Sequence, residues 1–558
     1  YIMEYPYECA EQTFERFYSN SIATNIVNSS PRVKAVFESW KNRSPDAYLS
    51  NLEKNQELKT LMLEETPWVL EAQDEGERKK RVGVLFDLNR MSNELSKALT
   101  KLEKMQASNG GWPWFPGMPD DRYITQYIIT GMGHLDHLGI KNVRNDSKVW
   151  NMVTKGVEYL DDRINDDYQW ILKYDYKHKD DDHLGYEEIQ YLYARSYFLD
   201  IPIRSGDQKA VEYFKGQAQK YWTTQNIYME GMIALGLSRF GIKKVPLDIM
   251  ASIKENATNK GDMGMYWAGD QEGYYWYQAP TEEHAMMIEA FDEVTHDEAS
   301  VEALKVWLLR SKQTTDWGTT TATAEACYAL LLKGSDILAR EPRIDISLGD
   351  KKIKLAPSGD SVEHGEAGTG YFKTSWSGSD INPNMGNITI SKSDSGLSYG
   401  AVYWQYFEQL DKITPHKTPL NIVKKLFVER TTASGKVMEP VTDKTLLHPG
   451  DKIKVRIEIR VDRDMDYVQM KDMRASCMEP IDVISQYKYQ DGLGYYQSTR
   501  DAATNFFFDH IHKGAYVFEY SMFVTHNGKF SNGITIIQCM YAPEFNSHSE
   551  GVRVKVGE

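Results

Sequence analysis

The spacing of apolar residues changes near residue 340, and this change constrains the fold more than any other feature of the chain. Before it, apolar residues recur every three or four positions, as on the buried face of a helix. After it, apolar and polar residues alternate, as in half-buried strands. The clearest helical stretches are KALTKLEKMQ, YITQYIITGMGHLDHLG, YEEIQYLYARSYFL and ATAEACYALLLKG, and the clearest strands lie in RIDISLGDKKIKLAP, GNITISKSD and DKIKVRIEIRVDRD. The sequence therefore predicts a multidomain chain, all-α and then all-β.

The helical part, residues 1–335, contains a loose repeat. A Trp- and Gly-rich loop, a polar turn and a helix follow one another in NGGWPWFPGMPDDRYITQYI, in GMYWAGDQEGYYWYQAPTEEHAMMIEAF and in TTDWGTTTATAEACYALL. A helical pair cannot bury its apolar face alone, so such repeats stack on one another. The repeat predicts a closed α/α toroid. Gly139 and Gly334 stand where glycines end helices.

Turn signals divide the remainder into two β modules. Gly349, Gly450 and the Asn527-Gly528 pair follow alternating segments, and glycine permits the backbone conformations that tight turns need. Pro415 and Pro419 mark a linker. We predict one β module over 336–420 and a β-sandwich over 421–558.

Composition excludes several functional classes. With 65 Lys and Arg against 80 Asp and Glu, the net charge of −15 disfavours nucleic acid as a partner. No run of about 20 apolar residues suggests a transmembrane helix.

The chain has no visible signal peptide and does not begin with methionine, so we expect it to be a piece of a longer protein. Four cysteines without a CxxC pair predict no disulfide framework, and spacing leaves open whether Cys477 and Cys539 pair.

The stretch YPYECAEQTFERF, residues 5–17, carries the most specific chemistry. If AEQTFERFYSN begins a helix, Cys9 and Gln12 lie at i and i+3 on one face of its first turn. A Cys9 thiolate could then displace ammonia from the Gln12 carboxamide and form an internal thioester, an acyl group ready for transfer. Glu11 could assist the proton transfer. Taken alone the pattern is weak, because a free cysteine is usually a small buried hydrophobe.

YPYECAEQ closely resembles the thioester signature of the α2-macroglobulin and complement family. GYYQSTRDAATNFFFDHIHKGAYVFEY and FSNGITIIQCMYAPEFNSHSEG resemble the last domain of its bacterial branch. The resemblance implies a toroid thioester domain, a CUB-like module over 336–420 and a macroglobulin-type sandwich over 421–558. It implies that Cys9 and Gln12 are the thioester partners. It also implies that Tyr5, and Met540 from the final domain, shield the bond from water.

The same resemblance implies a protease inhibitor rather than an enzyme. A protease cuts a bait region, the molecule rearranges, and a lysine amine of the protease attacks the Gln12 carbonyl once. Upstream macroglobulin domains are then further partners, and no cofactor or metal is needed. Bacterial relatives work in the periplasm, often lipid-anchored to the inner membrane through an upstream segment. Without upstream domains, we expect the thioester to be absent or hydrolysed.

Several other side chains have alternative interpretations. Complement-type relatives use a histidine to relay the acyl group, and His178 or His183 would be the candidate, although a solvated loop histidine is the commoner case. His134 and His137 have metal-ligand spacing without a third ligand, which favours a structural role. A scaffold with an inert cysteine is a further alternative.

The strongest rival is a glycan-active toroid enzyme, either a hydrolase or a lyase. Such enzymes stack sugars on aromatic rings and cleave them with paired carboxylic acids. Neither this enzyme nor a scaffold needs a glutamine three residues after a cysteine, so the motif favours the thioester. The rival's residues would be Trp112, Trp114, Trp267, Trp276 and Trp317 for stacking and Asp120, Asp121 and Glu282 for acid chemistry.

Overall fold

The fold is described from a computed structural model of the 558-residue chain. The structure describes residues 9–29, 88–140, 142–260, 262–269, 278–332, 344–353, 374–393, 400, 402–404, 406–540 and 542–557. These residues form two compact units. One comprises the described residues up to 393 apart from 310–316, and the other comprises 310–316 and the residues from 400 onward.

Helices dominate the first unit, as the three- and four-residue spacing predicts. The described helices are α1 (Ala10–Ser29), α2 (Leu88–Met105), α3 (Arg122–His137), α4 (Asn142–Asn145), α5 (Ser147–Tyr174), α6 (Tyr186–Arg195), α7 (Gln208–Tyr221), α8 (Ile227–Arg239), α9 (Lys244–Glu255), α10 (Pro280–Ala290), α11 (Glu298–Thr314) and α12 (Thr320–Leu331). Each of the four helical stretches quoted above falls on one of these elements. Among the described residues, no helix is long and apolar enough to cross a membrane.

Helix α1 packs into the core of this unit, and that packing fixes the position of its first turn. Phe14 is buried, and its ring lies edge-on to Tyr127 of α3 at 6.0 Å. Gly131 of α3 makes this approach possible, because a Cβ there would lie 2.4 Å from the Phe14 ring. Asp121 caps α3 by accepting the Ile124 N–H at 3.0 Å. Gly139 follows α3 with φ +73°, as predicted, whereas Gly334 lies outside the described residues.

Short strands also occur in the first unit. The two-stranded pairs are β1 (Trp112–Pro113) with β2 (Asp120–Asp121) and β3 (Thr258–Lys260) with β4 (Gly264–Tyr266). A three-stranded antiparallel sheet has the order β6-β5-β7, formed by β5 (Ile344–Leu348), β6 (Lys351–Ile353) and β7 (Ile388–Lys392). Closure of the helices into a toroid and the CUB-like identity of 336–420 stay predictions.

The second unit is built from sheets on alternating sequence, and its strand pairs are antiparallel except for β10 with β21, which is parallel. Its strands are β8 (Leu420–Thr432), β9 (Gly435–Pro440), β10 (Leu446–Leu447), β11 (Lys452–Val461), β12 (Met465–Met473), β13 (Met478–Pro480), β14 (Gln486–Gln490), β15 (Leu493–Thr499), β16 (Ala503–Ile511), β17 (Gly514–Val524), β18 (Gly528–Ser531), β19 (Thr535–Cys539), β20 (Asn546–His548) and β21 (Arg553–Val556). A five-stranded sheet, β13-β17-β11-β8-β9, and a six-stranded sheet, β14-β15-β16-β12-β19-β20, carry the core.

Both large sheets contribute to one apolar core, which is the arrangement of a sandwich. Val455 and Ile457 from the five-stranded sheet share this core with Met470 and Phe508 from the six-stranded sheet. Strand β11 alternates buried and less buried positions along its length, as its sequence predicts. Gly349 and Gly450 have φ of +57° and +93°, which explains the glycine at these turns. The predicted order of helices and then strands is therefore confirmed, while the division at 335 and 420 stays a prediction.

Candidate functional site

The side chains of Cys9 and Gln12 each contact the backbone of the other residue at the start of α1. The Gln12 Oε1 atom accepts the Cys9 backbone N–H at 3.3 Å, and the Cys9 Sγ atom accepts the Gln12 backbone N–H at 3.5 Å. The Ala10 N–H donates to the Trp114 carbonyl at 2.8 Å, which anchors this turn. Cys9 is only 5% exposed, so the sulfur lies out of bulk water. The spacing of three residues predicts this proximity, because a helical turn places i and i+3 side by side.

Glu11 completes the cluster at the sulfur. Its Oε2 atom lies 3.6 Å from Cys9 Sγ and accepts the thiol proton, and its Oε1 atom accepts the Thr320 hydroxyl at 2.8 Å. Burial raises the pKa of Cys9, and it also raises the pKa of Glu11. Cys9 is thus a neutral thiol beside a carboxylate of increased basicity. Thr320 was not predicted, because it lies 309 residues along the chain from Glu11 and has no local signal.

A cavity of about 60 Å³ lies next to this cluster. It is lined by tyrosines and carboxyl-bearing side chains, including Tyr127, Tyr186 and Glu325, and also by Thr321. The Tyr127 hydroxyl donates to Glu15, one helical turn after Glu11. Thr321 follows the threonine that holds Glu11. Burial and the charges of Glu289 and Glu282 raise the pKa of Glu325 to about 8.

A buried carboxylate organises the polar groups behind the cavity. Glu289 accepts the hydroxyls of Tyr193, Tyr197 and Tyr328 and pairs with Arg239 at 2.7 Å. Burial alone would raise the pKa of Glu289, but the Arg239 charge and the tyrosine hydrogen bonds outweigh it and hold the pKa at about 2.

The surroundings of His134 support the structural role that the sequence analysis favoured over metal binding. Burial lowers its pKa to about 3. Its ring stacks on Tyr328 at 3.9 Å and its Nε2 contacts the Tyr193 hydroxyl at 2.9 Å.

The remaining predicted site residues lie elsewhere. Tyr5 is outside the described residues. Met540 is buried in the second unit just after β19, and its N–H donates to the Tyr467 carbonyl at 2.8 Å. The His178 ring contacts Asp181 at 3.0 Å, and the His183 ring contacts the His178 carbonyl at 2.9 Å. The ring contacts of both histidines are thus made within their own loop. Cys477 and Cys539 are both buried and free, so they do not form a disulfide.

Three of the side chains considered for the rival glycan chemistry are committed to other contacts. Trp112 and Trp267 are buried, and their indole N–H groups donate to the Leu102 and Ile253 carbonyls. Asp121 caps α3. These two tryptophans therefore cannot offer a face to a sugar, which weighs against the rival glycan-active enzyme. Trp276 lies outside the described residues, whereas Glu282 lines the cavity.

Comparison with known proteins relates the chain to one family. Residues 420–544 match the family model of the bacterial alpha-2-macroglobulin MG10 domain. No curated protein matches the chain.

Solved structures are similar at low identity. Trypsin-activated alpha-2-macroglobulin from Escherichia coli is 12% identical with a TM-score of 0.42, over 99% of this chain and 32% of that one. Salmonella alpha-2-macroglobulin reacted with methylamine is 12% identical with a TM-score of 0.32, over 100% of this chain and 30% of that one. The chain thus spans about a third of these structures' length.

An E. coli structure from domain MG7 to the C-terminus is also 12% identical, with a TM-score of 0.32, over 100% of this chain and 74% of that one. The MG10 match lies in the sandwich, in the part of the chain where the quoted motifs resemble the family's last domain. It confirms the family resemblance for this segment: residues 420–544 are similar to the MG10 domain of bacterial alpha-2-macroglobulin.

Proposed function

We propose that this protein inhibits proteases by capturing them covalently through an acyl group formed between Cys9 and Gln12. The observation that carries the proposal is the meeting of a buried thiol, a carboxamide and a carboxylate at the first turn of α1. The MG10 match supports a protease-inhibitor family. A single covalent event ends the reaction, so the protein acts as an inhibitor rather than as a catalyst.

Formation of the acyl group needs a nucleophile, a base and a donor to the carbonyl oxygen. The Cys9 sulfur attacks the Gln12 side-chain carbonyl, and Glu11 takes the thiol proton and passes it to the amide nitrogen. The C–N bond breaks, ammonia leaves, and the C–S bond of the thioester remains. The Cys9 backbone N–H already donates to Gln12 Oε1 at 3.3 Å, and it would stabilise the developing oxyanion.

In the capture step, Cys9 is the leaving group instead of the nucleophile. A lysine amine attacks the thioester carbonyl, the C–S bond breaks, and an amide links the protease to Gln12. Glu11 accepts a proton from the attacking amine, and the Cys9 sulfur leaves as a thiol. The neighbouring cavity suits the end of a lysine side chain, because the faces of its tyrosine rings attract an ammonium group.

The bond must be kept from water until a protease arrives. The burial of Cys9 supports such protection. We propose that Tyr5 and Met540 add apolar cover and that separation of domains after bait cleavage removes it. In this proposal the bait region and further macroglobulin domains precede this chain in the complete protein, which acts in the periplasm, anchored to the inner membrane.

Covalent capture can be tested with trypsin as the probe. We expect the complete protein that contains this chain to form an adduct that survives denaturation and reduction, with a Gln12–lysine amide in its mass spectrum. Cys9→Ala should abolish the adduct. Cys327→Ala should retain it, since Cys327 is a second free cysteine of the helical unit and has no part in the mechanism. Equal adduct in wild type and Cys9→Ala would refute the proposal.

A further inference from the structure

Two histidines and an aspartate meet at one end of the six-stranded sheet. Strands β12 and β16 pair antiparallel, with Met465 opposite Ile511 and Asp466 opposite His510. Asp464 lies just before β12, and His512 lies just after β16. Because alternate residues of a strand share a face, His510 and His512 project to the same side.

The ligand atoms of the three residues lie at the separations that one metal ion requires. His510 Nε2 is 3.0 Å from His512 Nδ1, and Asp464 Oδ2 is 3.4 Å from His512 Nδ1 and 3.9 Å from His510 Nε2. Zinc bonds of about 2.0–2.1 Å in a tetrahedron separate neighbouring ligand atoms by roughly 3.3 Å. A single ion can therefore contact all three atoms after small shifts of the side chains.

Other hydrogen bonds hold two of these ligands in orientation. His510 Nδ1 contacts Asp466 Oδ1 at 2.5 Å, so Nδ1 carries the proton and the Nε2 lone pair faces the cluster. Asp464 Oδ1 accepts the Lys513 N–H at 2.7 Å, which directs Oδ2 toward the histidines. A carboxylate behind a ligating histidine is the usual support of a protein zinc ligand.

We propose that Asp464, His510 and His512 bind a divalent transition-metal ion of the zinc class. Imidazole and carboxylate ligands suit Zn²⁺, and three protein ligands leave a fourth position for water. His512 has 74% of its side chain exposed, so an ion can enter from solvent. The bound ion would join the ends of β12 and β16 and stabilise the sandwich. This site is independent of the acyl chemistry.

The sequence did not indicate this metal site, because Asp464 is far along the chain from the two histidines. Asp464 and His512 are 48 residues apart, and only the pairing of β12 with β16 brings them together. The two histidines are separated by one residue, a spacing that is common in β-strands and by itself does not indicate a metal site.

Metal binding can be measured by titrating metal-stripped protein with ZnCl₂ in a calorimeter. Wild type should bind one more equivalent than the His510→Ala/His512→Ala variant, and Co²⁺ should give the visible absorption of a four-coordinate ion only in wild type. Asp466→Asn should weaken binding about 10- to 100-fold without changing the stoichiometry. The matched control is His448→Ala, which removes a histidine near a single aspartate, Asp451, and should leave binding unchanged.

The unfolding temperature shows whether the double variant is folded, so that misfolding is not mistaken for loss of the metal site. Without metal, the double variant should unfold near the wild-type temperature, and Zn²⁺ should raise the unfolding temperature of wild type alone. Equal zinc stoichiometry in wild type and a folded double variant would overturn the proposal. So would the absence of a zinc-induced rise in the wild-type unfolding temperature.

Discussion

Glu11→Gln is expected to slow acyl transfer to methylamine about 100-fold, because a carboxamide cannot accept the proton that the reaction releases. Glu11 is the group placed for this task, with one oxygen 3.6 Å from Cys9 Sγ and the other held by the Thr320 hydroxyl. Burial raises the pKa of Glu11, which makes its carboxylate a stronger base. The measurement is the rate at which a free thiol appears in thioester-containing protein after methylamine is added.

Two variants make this measurement specific. Thr320→Val keeps the Glu11 carboxylate but removes the hydroxyl that orients it, so a smaller loss of rate is expected. Glu103→Gln removes an exposed carboxylate that pairs with Lys148 at 3.5 Å and should change nothing. A wild-type rate in Glu11→Gln, with the unfolding temperature preserved, would show that this carboxylate has no role in the transfer.

Glu289→Ala is expected to lower the free energy of unfolding by about 3–5 kcal/mol, because it breaks a buried network of hydrogen bonds and an ion pair. The substitution removes the acceptor of three tyrosine hydroxyls and leaves Glu293 as the carboxylate partner of Arg239. Glu289→Gln keeps an acceptor oxygen and should cost less. Glu302→Ala, at an exposed position of α11, should change stability by less than about 0.5 kcal/mol. Urea unfolding followed by circular dichroism measures all three.

The same cluster predicts how the helical unit responds to acid. The pKa of Glu289 is about 2, below its ordinary value of 4.5, so its contribution is present above pH 4.5 and is lost as the pH falls toward 2. The pKa of His134 is about 3, below its ordinary 6.5, so unfolding binds a proton between those values and stability falls over that window too. Glu289→Gln should therefore lose less stability than wild type between pH 4.5 and 2. An identical loss in both proteins would contradict this assignment.

Features that depend on residues close together in the sequence could be predicted from the sequence. Periodicity indicated helices such as α2 and strands such as β11, since each buries one face of its own segment. The meeting of Cys9 with Gln12 also follows from a local rule, the turn of a helix. The MG10 match confirmed the family resemblance for residues 420–544.

Contacts between distant segments could not be predicted in the same way. Thr320 reaches Glu11 and Tyr127 reaches Glu15 only because α12 and α3 pack beside α1. The tryptophans considered for the rival sugar-binding enzyme show the same limit, because an aromatic residue in a loop-like sequence can be a core residue. Trp112 is 1% exposed, and its indole N–H is bonded to a helix carbonyl.

The most direct test of the account is the mass and thiol content of the complete protein before and after methylamine. Intact protein should be lighter than its sequence by one ammonia. Methylamine should then restore mass at Gln12 as a methylamide and expose one new thiol at Cys9, while Cys9→Ala shows neither change. Intact protein at its full sequence mass, with Cys9 already titratable and Gln12 unmodified after methylamine, would contradict the thioester.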